Sequence, residues 1–395
     1  MTAWSERVPL VVFGDDWGRH VSSMQHVFRA IVTRQPVVWV NAIGHRPPRL
    51  SVADARRAWG KVRAALRPRP PASGPIGPAP LVIVEPRVLP WHQRRAVRAV
   101  NGWSLTRAIR GALVTHGLTE PPVVVTGSPP SVEVLGRLGE RAAVYFCMDD
   151  FLHLPGVSAA MIAPLEQRLL ERVDAVVATA ESLTRSKRPR SGRAFYLPQG
   201  VNYEHFAAAR PIPPEMARLP RPRIGFAGGV SACCDLDLIR RVADAVPHGS
   251  VVLVGPVSVD PAPLDRPNVH LLGARPYAEL PAYVQAFDVG IIPYTLSEWT
   301  VAVDPLKLLE YLAAGIPVVT TAIPEVHKYR DAACVAESAG AFVHAVVAAA
   351  GENKDAARHR GQAVARRHTW EHRADELLRI LEGLVAAPGA PVAVA

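Results

Sequence analysis

The chain has 395 residues, 49% of them hydrophobic, with 45 Lys or Arg against 35 Asp or Glu and a formal net charge of +10. That length exceeds one ordinary core and predicts two domains, and the composition excludes a disordered or fibrous chain. Cys147, Cys233, Cys234 and Cys334 show no CxxC spacing, which argues against a zinc site or a disulfide framework and fits a reducing cytosol. The apolar run from Val8 to Phe13 is too short for a signal-peptide core or a membrane span. Charge is uneven along the chain. Residues 1–110 hold 18 Lys or Arg and 5 Asp or Glu, whereas the remainder holds 27 and 30. This asymmetry suits an anionic membrane surface, an anionic acceptor or a solvated arginine-rich face. Nucleic acid ranks last, because no helix-turn-helix, zinc finger or interleaved aromatic and basic strand is present.

In chain order, Val8 to Phe13 predicts a first strand and Gly14-Asp15-Asp16-Trp17-Gly18 the tight turn after it. A helix over 22–32 and a strand over 36–40 complete a parallel βαβ unit, with the turn at the strand end where open α/β sheets bind ligands. Residues 45–80 are rich in Arg and Pro. A basic helix is predicted from Val52 to Leu66, with Trp59 and Leu66 placed to enter a lipid headgroup layer or to pack on the domain. Strands follow at 81–84 and 122–126, separated by an arginine-rich helical pattern from Trp91 to Leu113. A helix is expected to run through Leu138. The strand over 142–148 delivers Asp149 and Asp150 to its C-terminal end, where they can bind a sugar hydroxyl or a metal, or cap a turn. A helix at 159–173 and strands at 175–178 and 195–197 follow, and Pro198 to Phe206 closes the first domain. Residues 207–220 read as a linker. The second domain, 221–370, opens with a strand at 223–227 ending in Gly228-Gly229. Strands at 250–254, before Gly255, and at 269–272 and 289–292 alternate with helices at 236–246 and 280–286. A final helix spans 371–385, expected to pack back toward the first domain, and 386–395 reads as a disordered tail.

The most informative stretch is 298–325. Asp304 is placed to cap a helix, Pro305 suits its first turn, Gly315 closes it, and Pro317 to Thr321 reads as a buried strand. Lys307 and Glu310 lie three apart on one face near the helix start. A cation and a carboxylate there can hold a phosphate and a ribose diol, or form an ordinary surface ion pair. Asp235 and Asp237, which bracket Leu236, read as helix-capping acids rather than a DxD metal site.

Taken together, Ala143 to Asp150, Gln199 to Phe206, Ile224 to Gly229, Val269 to Gly273, Tyr277 to Pro281, Asp288 to Pro293, Pro305 to Val319 and Thr369-Trp370-Glu371 resemble the glycosyltransferase B fold. The resemblance is to the retaining glycosyltransferase family 4 and its teichuronic-acid-type relatives, and it covers nearly the whole chain. It implies an α/β architecture of two Rossmann-like domains facing an interdomain cleft, with the acceptor on the N-terminal side. It also implies that a nucleotide-diphosphate sugar is a co-substrate of a hexosyltransferase-type enzyme, with no cofactor and no metal required. Glu310 would accept hydrogen bonds from ribose, and Gly228, Gly229 and Gly255 would approach the pyrophosphate through their backbones. Arg275, Lys307 and Leu308 complete the implied donor side, and Gly14, Asp15, Asp16, Trp17 and Gly18 form the acceptor side. Asp149, Asp150 and Lys307 are the implied catalytic set.

Two departures stand out. Many members carry a glutamate where this chain has Ala302, with Glu298 nearby but out of register. Many also place Arg and Lys just after the glycine pair, where this chain has Val230-Ser-Ala-Cys-Cys-Asp235. Lys307, assisted by Arg275, is the expected replacement. Same-face attack with retention is the expected course, and inversion would use Asp15 or Asp16 as general base. A non-catalytic binding protein and another enzyme of the fold, such as a sugar-nucleotide epimerase, are the rival readings. The expected location is the cytoplasm or the inner membrane face, with a hydroxyl acceptor that is a glycan or lipid-linked.

Overall fold

A computed structural model describes residues 8–19, 22–43, 77–89, 91–352 and 354–386. The basic helix expected from Val52 to Leu66 and the tail beyond Ala386 lie outside these residues. The chain divides into two compact units. The first comprises Met1–Thr179, Leu183–Leu197 and Ala374–Ala395, and the second Ala180–Ser182 and Pro198–Arg373.

The first unit contains strands β1 (Leu10–Phe13), β2 (Val37–Val40), β3 (Val82–Val84), β4 (Val123–Thr126), β5 (Ala142–Cys147), β6 (Ala175–Ala178) and β7 (Ala194–Tyr196). They form one sheet in the order β3-β2-β1-β4-β5-β6-β7, parallel throughout. Every residue of β1, β2, β4, β5 and β6 is buried. Unbroken valine-rich runs are what a parallel sheet covered on both faces requires. The helices are α1 (Ser23–Ile31), α2 (Arg95–Thr115), α3 (Ala159–Leu170) and, from Leu183 onward, α4 (Glu181–Ser186). Ser22 caps α1 by accepting the Gln25 N–H. The helix expected through Leu138 is instead one short 3-10 turn, Pro129–Glu133. Gly136 turns left-handed at φ 77, and the Glu140 carboxylate accepts the N–H groups of Gly136 and Leu138, so local side-chain bonds replace the helical ladder.

The second unit begins at Pro198 rather than after Phe206. Val201, Phe206 and Met216 are fully buried in its core; the stretch expected to close the first domain forms α5 (Tyr203–Ala207), and the 207–220 stretch expected as a linker carries α6 (Pro214–Ala217). Strands β8 (Arg223–Ala227), β9 (Ser250–Val254), β10 (Val269–Gly273), β11 (Val289–Ile292), β12 (Val318–Thr321) and β13 (Cys334–Ala336) follow, with helices α7 (Leu236–Ala245), α8 (Leu280–Gln285) and α9 (Leu306–Ala314) between them. The sheet order is β10-β9-β8-β11-β12-β13, again parallel. Three further helices close the chain, α10 (Ala339–Ala350), α11 (Lys354–Ala365) and α12 (Trp370–Ala386). In each sheet the strand order reverses once, between β1 and β4 and between β8 and β11. Such reversals open a crevice at the carboxyl ends of the strands.

Candidate functional site

In the second unit the crevice is built from the exits of β8, β9 and β11 and the start of α9. The Gly228 N–H donates to the Val254 carbonyl at 2.8 Å, so the two strand exits lie backbone against backbone. A Cβ on Gly255 would stand 2.0 Å from the Gly228 carbonyl oxygen, and one on Gly228 would stand 2.9 Å from Lys307 Cε. Gly228 (φ 156) and Gly255 (φ 154) therefore allow both the strand crossing and the close approach of a lysine. Gly229 is exposed, and a Cβ there would meet only Pro256 at 3.9 Å.

No side chain caps α9, whose N-cap is Pro305. Asp304, expected in that role, faces elsewhere. It is buried, its Oδ2 accepts the Gln199 N–H at 3.0 Å, and it pairs with Lys328 at 2.8 Å. Lys328 also reaches Glu325 at 3.0 Å. Burial raises the Asp304 pKa, and the Lys328 cation opposes that shift. A buried pair held by these partners outcompetes a cap at the helix end.

Lys307 and Glu310 do not form the surface ion pair that spacing alone allowed. Lys307 Nζ sits 5.2 Å from the centroid of Phe226 and 4.9 Å from that of Tyr294, and donates to the Tyr294 hydroxyl. Both rings present π faces that favour a desolvated cation. The Glu310 carboxylate is half-buried and makes no hydrogen bond among the described residues. Burial pushes its pKa up to about 7, with Lys307 pulling the other way. Next to them, Cys234 Sγ points to the Gly229 carbonyl at 3.7 Å, and Ser231 Oγ lies 3.2 Å from Cys233 Sγ. The Cys233 thiol is lowered to about 6, chiefly by its hydrogen bond with Cys234 and with help from Ser231 and Lys307.

A cation, an uncommitted acceptor carboxylate, an uncapped helix start and two glycine exits suit an anion attached to a diol. Among the described residues no cluster of three His, Cys, Asp or Glu could hold a metal ion. Leu308 is fully buried, so its side chain belongs to the core. Arg275 is occupied by Tyr283 at 2.8 Å, by the Leu272 carbonyl at 2.6 Å and by Glu215 at 3.6 Å, and no contact brings it to Lys307. Asp235 caps α7, accepting the Leu238 N–H at 2.8 Å. Ala302 is buried in a short 3-10 turn, Thr300–Ala302, and Glu298 is exposed.

In the first unit, Gly14 to Gly18 leave β1 at its crevice. The Trp17 N–H donates to Asn41 at 2.9 Å, the Gly18 N–H to Gln25 at 3.0 Å, and the Trp39 indole to the Asp15 carbonyl at 2.9 Å. Asp15 is exposed, while Asp16 pairs with Arg19 at 3.3 Å. Asp149 and Asp150 stand at the exit of β5. Asp150 is engaged on both oxygens, by Lys187 at 3.0 Å and by His153 at 2.7 Å. Lys187 is itself buried and reaches Glu166 at 2.8 Å, which accepts the Tyr145 hydroxyl at 2.7 Å. Desolvation works to raise the Asp150 pKa, but the hydrogen bonds with His153 and Lys187 outweigh it and hold the carboxyl below its ordinary value.

Tyr294 and Lys187 are absent from the expected set. Tyr294 follows Ile292-Pro293 directly at a strand exit, a position that could have marked it. Lys187 lies within a run of basic residues with nothing local to distinguish it.

Residues 221–352 match the family model described as "Glycosyl transferases group 1". A Bacillus subtilis protein bearing the name teichuronic acid biosynthesis glycosyltransferase TuaH is 34% identical over 179 residues, 42% of this chain and 45% of that protein. The chain thus spans less than half the length of this curated relative. Among solved structures, sucrose-phosphate synthase from Thermosynechococcus elongatus aligns with a TM-score of 0.64 at 14% identity, covering 96% of this chain and 99% of its own. Anabaena HepE, solved with UDP and glucose, aligns at 0.64 and 12% identity, with coverages of 95% and 99%. An Escherichia coli trehalose-6-phosphate protein bound with UDP-2-fluoro glucose aligns at 0.63 and 13%, with the same coverages. Residues 221–352 thus match the model for group 1 glycosyl transferases, on a chain with the glycosyltransferase B fold.

Proposed function

We propose that the protein transfers a sugar from a nucleoside-diphosphate sugar to a hydroxyl acceptor, with retention at the anomeric carbon, in the assembly of a polysaccharide, glycolipid or other glycoconjugate. The observation that carries this reading is the pairing, at the reversal between β8 and β11, of a desolvated Lys307 with a Glu310 carboxylate that has no hydrogen bond among the described residues. Glu310 accepts the ribose hydroxyls, while Lys307 and the open start of α9 bind the diphosphate. Glycosyl transfer passes through an oxocarbenium-like state as the diphosphate departs, so preorganised positive charge at the leaving group lowers the barrier. No metal is needed for that role. Asp149 or Asp150, at the exit of β5, is assigned to orienting the acceptor hydroxyl or the donor sugar. A glycan or lipid-linked acceptor would bring the reaction to the inner face of a membrane.

Two related structures were solved with UDP or a UDP-sugar, so uridine nucleotides are the first donors to test. UDP is expected to raise the melting temperature of the protein, and Lys307→Met to weaken UDP binding by about 10- to 100-fold, as loss of charge-assisted hydrogen bonds implies. Unchanged affinity in a folded Lys307→Met variant would sink the assignment. Proton NMR of the first-formed anomer tests retention, and an inverted product would transfer the base role to Asp15 or Asp16. Ala302, buried where related enzymes often carry glutamate, motivates one rival, a donor-binding protein without turnover. Slow donor hydrolysis in the absence of acceptor separates an active transferase from that rival.

A further inference from the structure

Helix α2 is built against its own electrostatics. The N-terminus of a helix carries partial positive charge and favours acids, yet the first turn of α2 has none, and no side chain caps it. Arg94 occupies the N-cap and Arg95 the first helical position. Arg98 finds a carboxylate, Glu133 at 3.1 Å. Arg94, Arg95, Arg107 and Arg110 make no ion pair among the described residues. One face of the helix, with Asn101, Leu105, Ile109 and Leu113, is buried. The opposite face steps through Val100, Trp103, Arg107, Arg110 and Val114, at the three- and four-residue spacing of a single stripe. Its apolar members are unusually open to solvent, with Val100 52%, Trp103 63% and Val114 79% exposed. Trp91, just before the helix, is 47% exposed.

We propose that this stripe of α2 docks on an anionic lipid bilayer, with Trp103 and Trp91 entering the headgroup layer and the arginines meeting lipid phosphates. The chemistry favours a bilayer over other occupants. A free phosphate or a nucleic acid would use the arginines and leave Val100 and Val114 in water. A second copy meeting across a two-fold axis would set Arg107 and Arg110 against their own counterparts. A bilayer supplies phosphate and an apolar layer at once, and Trp and Arg are the side chains that settle at that boundary. The excess of basic residues in the first 110 positions provides long-range attraction of the same sign. Docking adds a location to the proposed transfer and does not depend on it, because vesicle binding is measured without donor or acceptor.

The test is co-sedimentation of the full chain with phosphatidylcholine vesicles, with and without phosphatidylglycerol, at low and high salt. Binding is expected only to the anionic vesicles and is expected to fall as salt rises. Arg95→Glu with Arg107→Glu should weaken it by about fivefold per arginine removed, and Trp103→Ser should weaken it further. Both variants should keep UDP-induced thermal stabilisation. Arg95→Glu should also leave the free protein at least as stable as the parent, since it places an acid at the helix start. A merely structural role for Arg95 predicts the opposite. Equal binding to neutral vesicles, or anionic binding undiminished in both variants, overturns the proposal. So does a concentration-dependent dimer in sedimentation velocity that Trp103→Ser dissolves while no vesicle binding occurs, because the occupant is then a second copy.

Discussion

Replacing Glu310 by Gln should move stability and donor binding in opposite directions. The Glu310 carboxyl is half-buried, lacks a hydrogen bond among the described residues, and has its pKa raised by burial from 4.5 to about 7. A carboxyl raised in the folded state favours the neutral form. Its contribution is therefore best below the unfolded value and is progressively lost as pH rises from about 4.5 through 7. A rise of that size corresponds to roughly 3 kcal/mol as an upper bound, and solvent access to the group reduces this to about 2 kcal/mol. Glutamine keeps the shape without the charge, so the variant should melt about 4 to 8 °C above the parent at pH 8, for a unit of this size. The two should converge near pH 4.5. The same change removes the charged acceptor proposed for the ribose diol, so UDP should raise the parent's melting temperature at pH 8 and barely move the variant's. Differential scanning fluorimetry from pH 4.5 to 8.5, with and without UDP, reads both effects. A variant that gains no stability at high pH refutes the desolvated carboxylate, and one that binds UDP as the parent does refutes the ribose contact.

Lys187 neutralises Glu166 and Asp150 in the interior of the first unit. Lys187→Met should destabilise by about 3 to 5 kcal/mol at pH 7 by leaving the buried Glu166 carboxylate without its cation and removing one partner of the half-buried Asp150. Chemical denaturation should show a smaller loss near pH 4, where carboxyls take up protons, and a pH-independent loss would point to packing instead. Gly255→Ala should cost several-fold more stability than Gly228→Ala. Its Cβ meets the backbone carbonyl of Gly228 at 2.0 Å, whereas the Gly228 Cβ meets side chains, Lys307 Cε at 2.9 Å and Phe226 Cζ at 3.3 Å, and urea unfolding of both variants compares them. Cys233, lowered chiefly by its hydrogen bond with Cys234, should be alkylated by iodoacetamide with a pH midpoint below that of an ordinary thiol and be protected by UDP. A midpoint near 9 in the free protein would show that Cys234, Ser231 and Lys307 do not hold the thiolate.

The parts of this fold legible in the sequence were those with local causes. Valine-rich runs such as Val123 to Thr126 can only be buried strands, and Gly228, Gly255 and Gly315 mark strand and helix ends because a side chain there would collide or strain. The placement of Lys307 and Glu310 near one helix start also followed from spacing. What escaped was decided by residues far apart in the chain. Asp304 reads as a helix cap because its partners, Gln199 and Lys328, are 105 and 24 positions away. The apparent linker after Phe206 is Ala- and Pro-rich, yet Met216 within it is fully buried, and three large apolar side chains, Ile212, Met216 and Leu219, spaced among prolines show no helical or strand period. The partnership of Lys307 with Tyr294 depends on how β11 and α9 meet, which no spacing within either element encodes.

The hydrogen bond from Lys307 to Tyr294 gives the donor reading a kinetic side. A lysine that would otherwise be hydrated already has its charge against two rings and a phenol, so an arriving phosphate oxygen exchanges with a hydroxyl instead of stripping a water shell. Recognition of the donor is then a swap between two protein-scale partners, and the off-rate of the spent nucleotide is set partly by how readily the tyrosine reclaims its cation. If the proposed donor contact holds, Tyr294→Phe should alter product release in this protein while leaving Lys307 in place to meet phosphate.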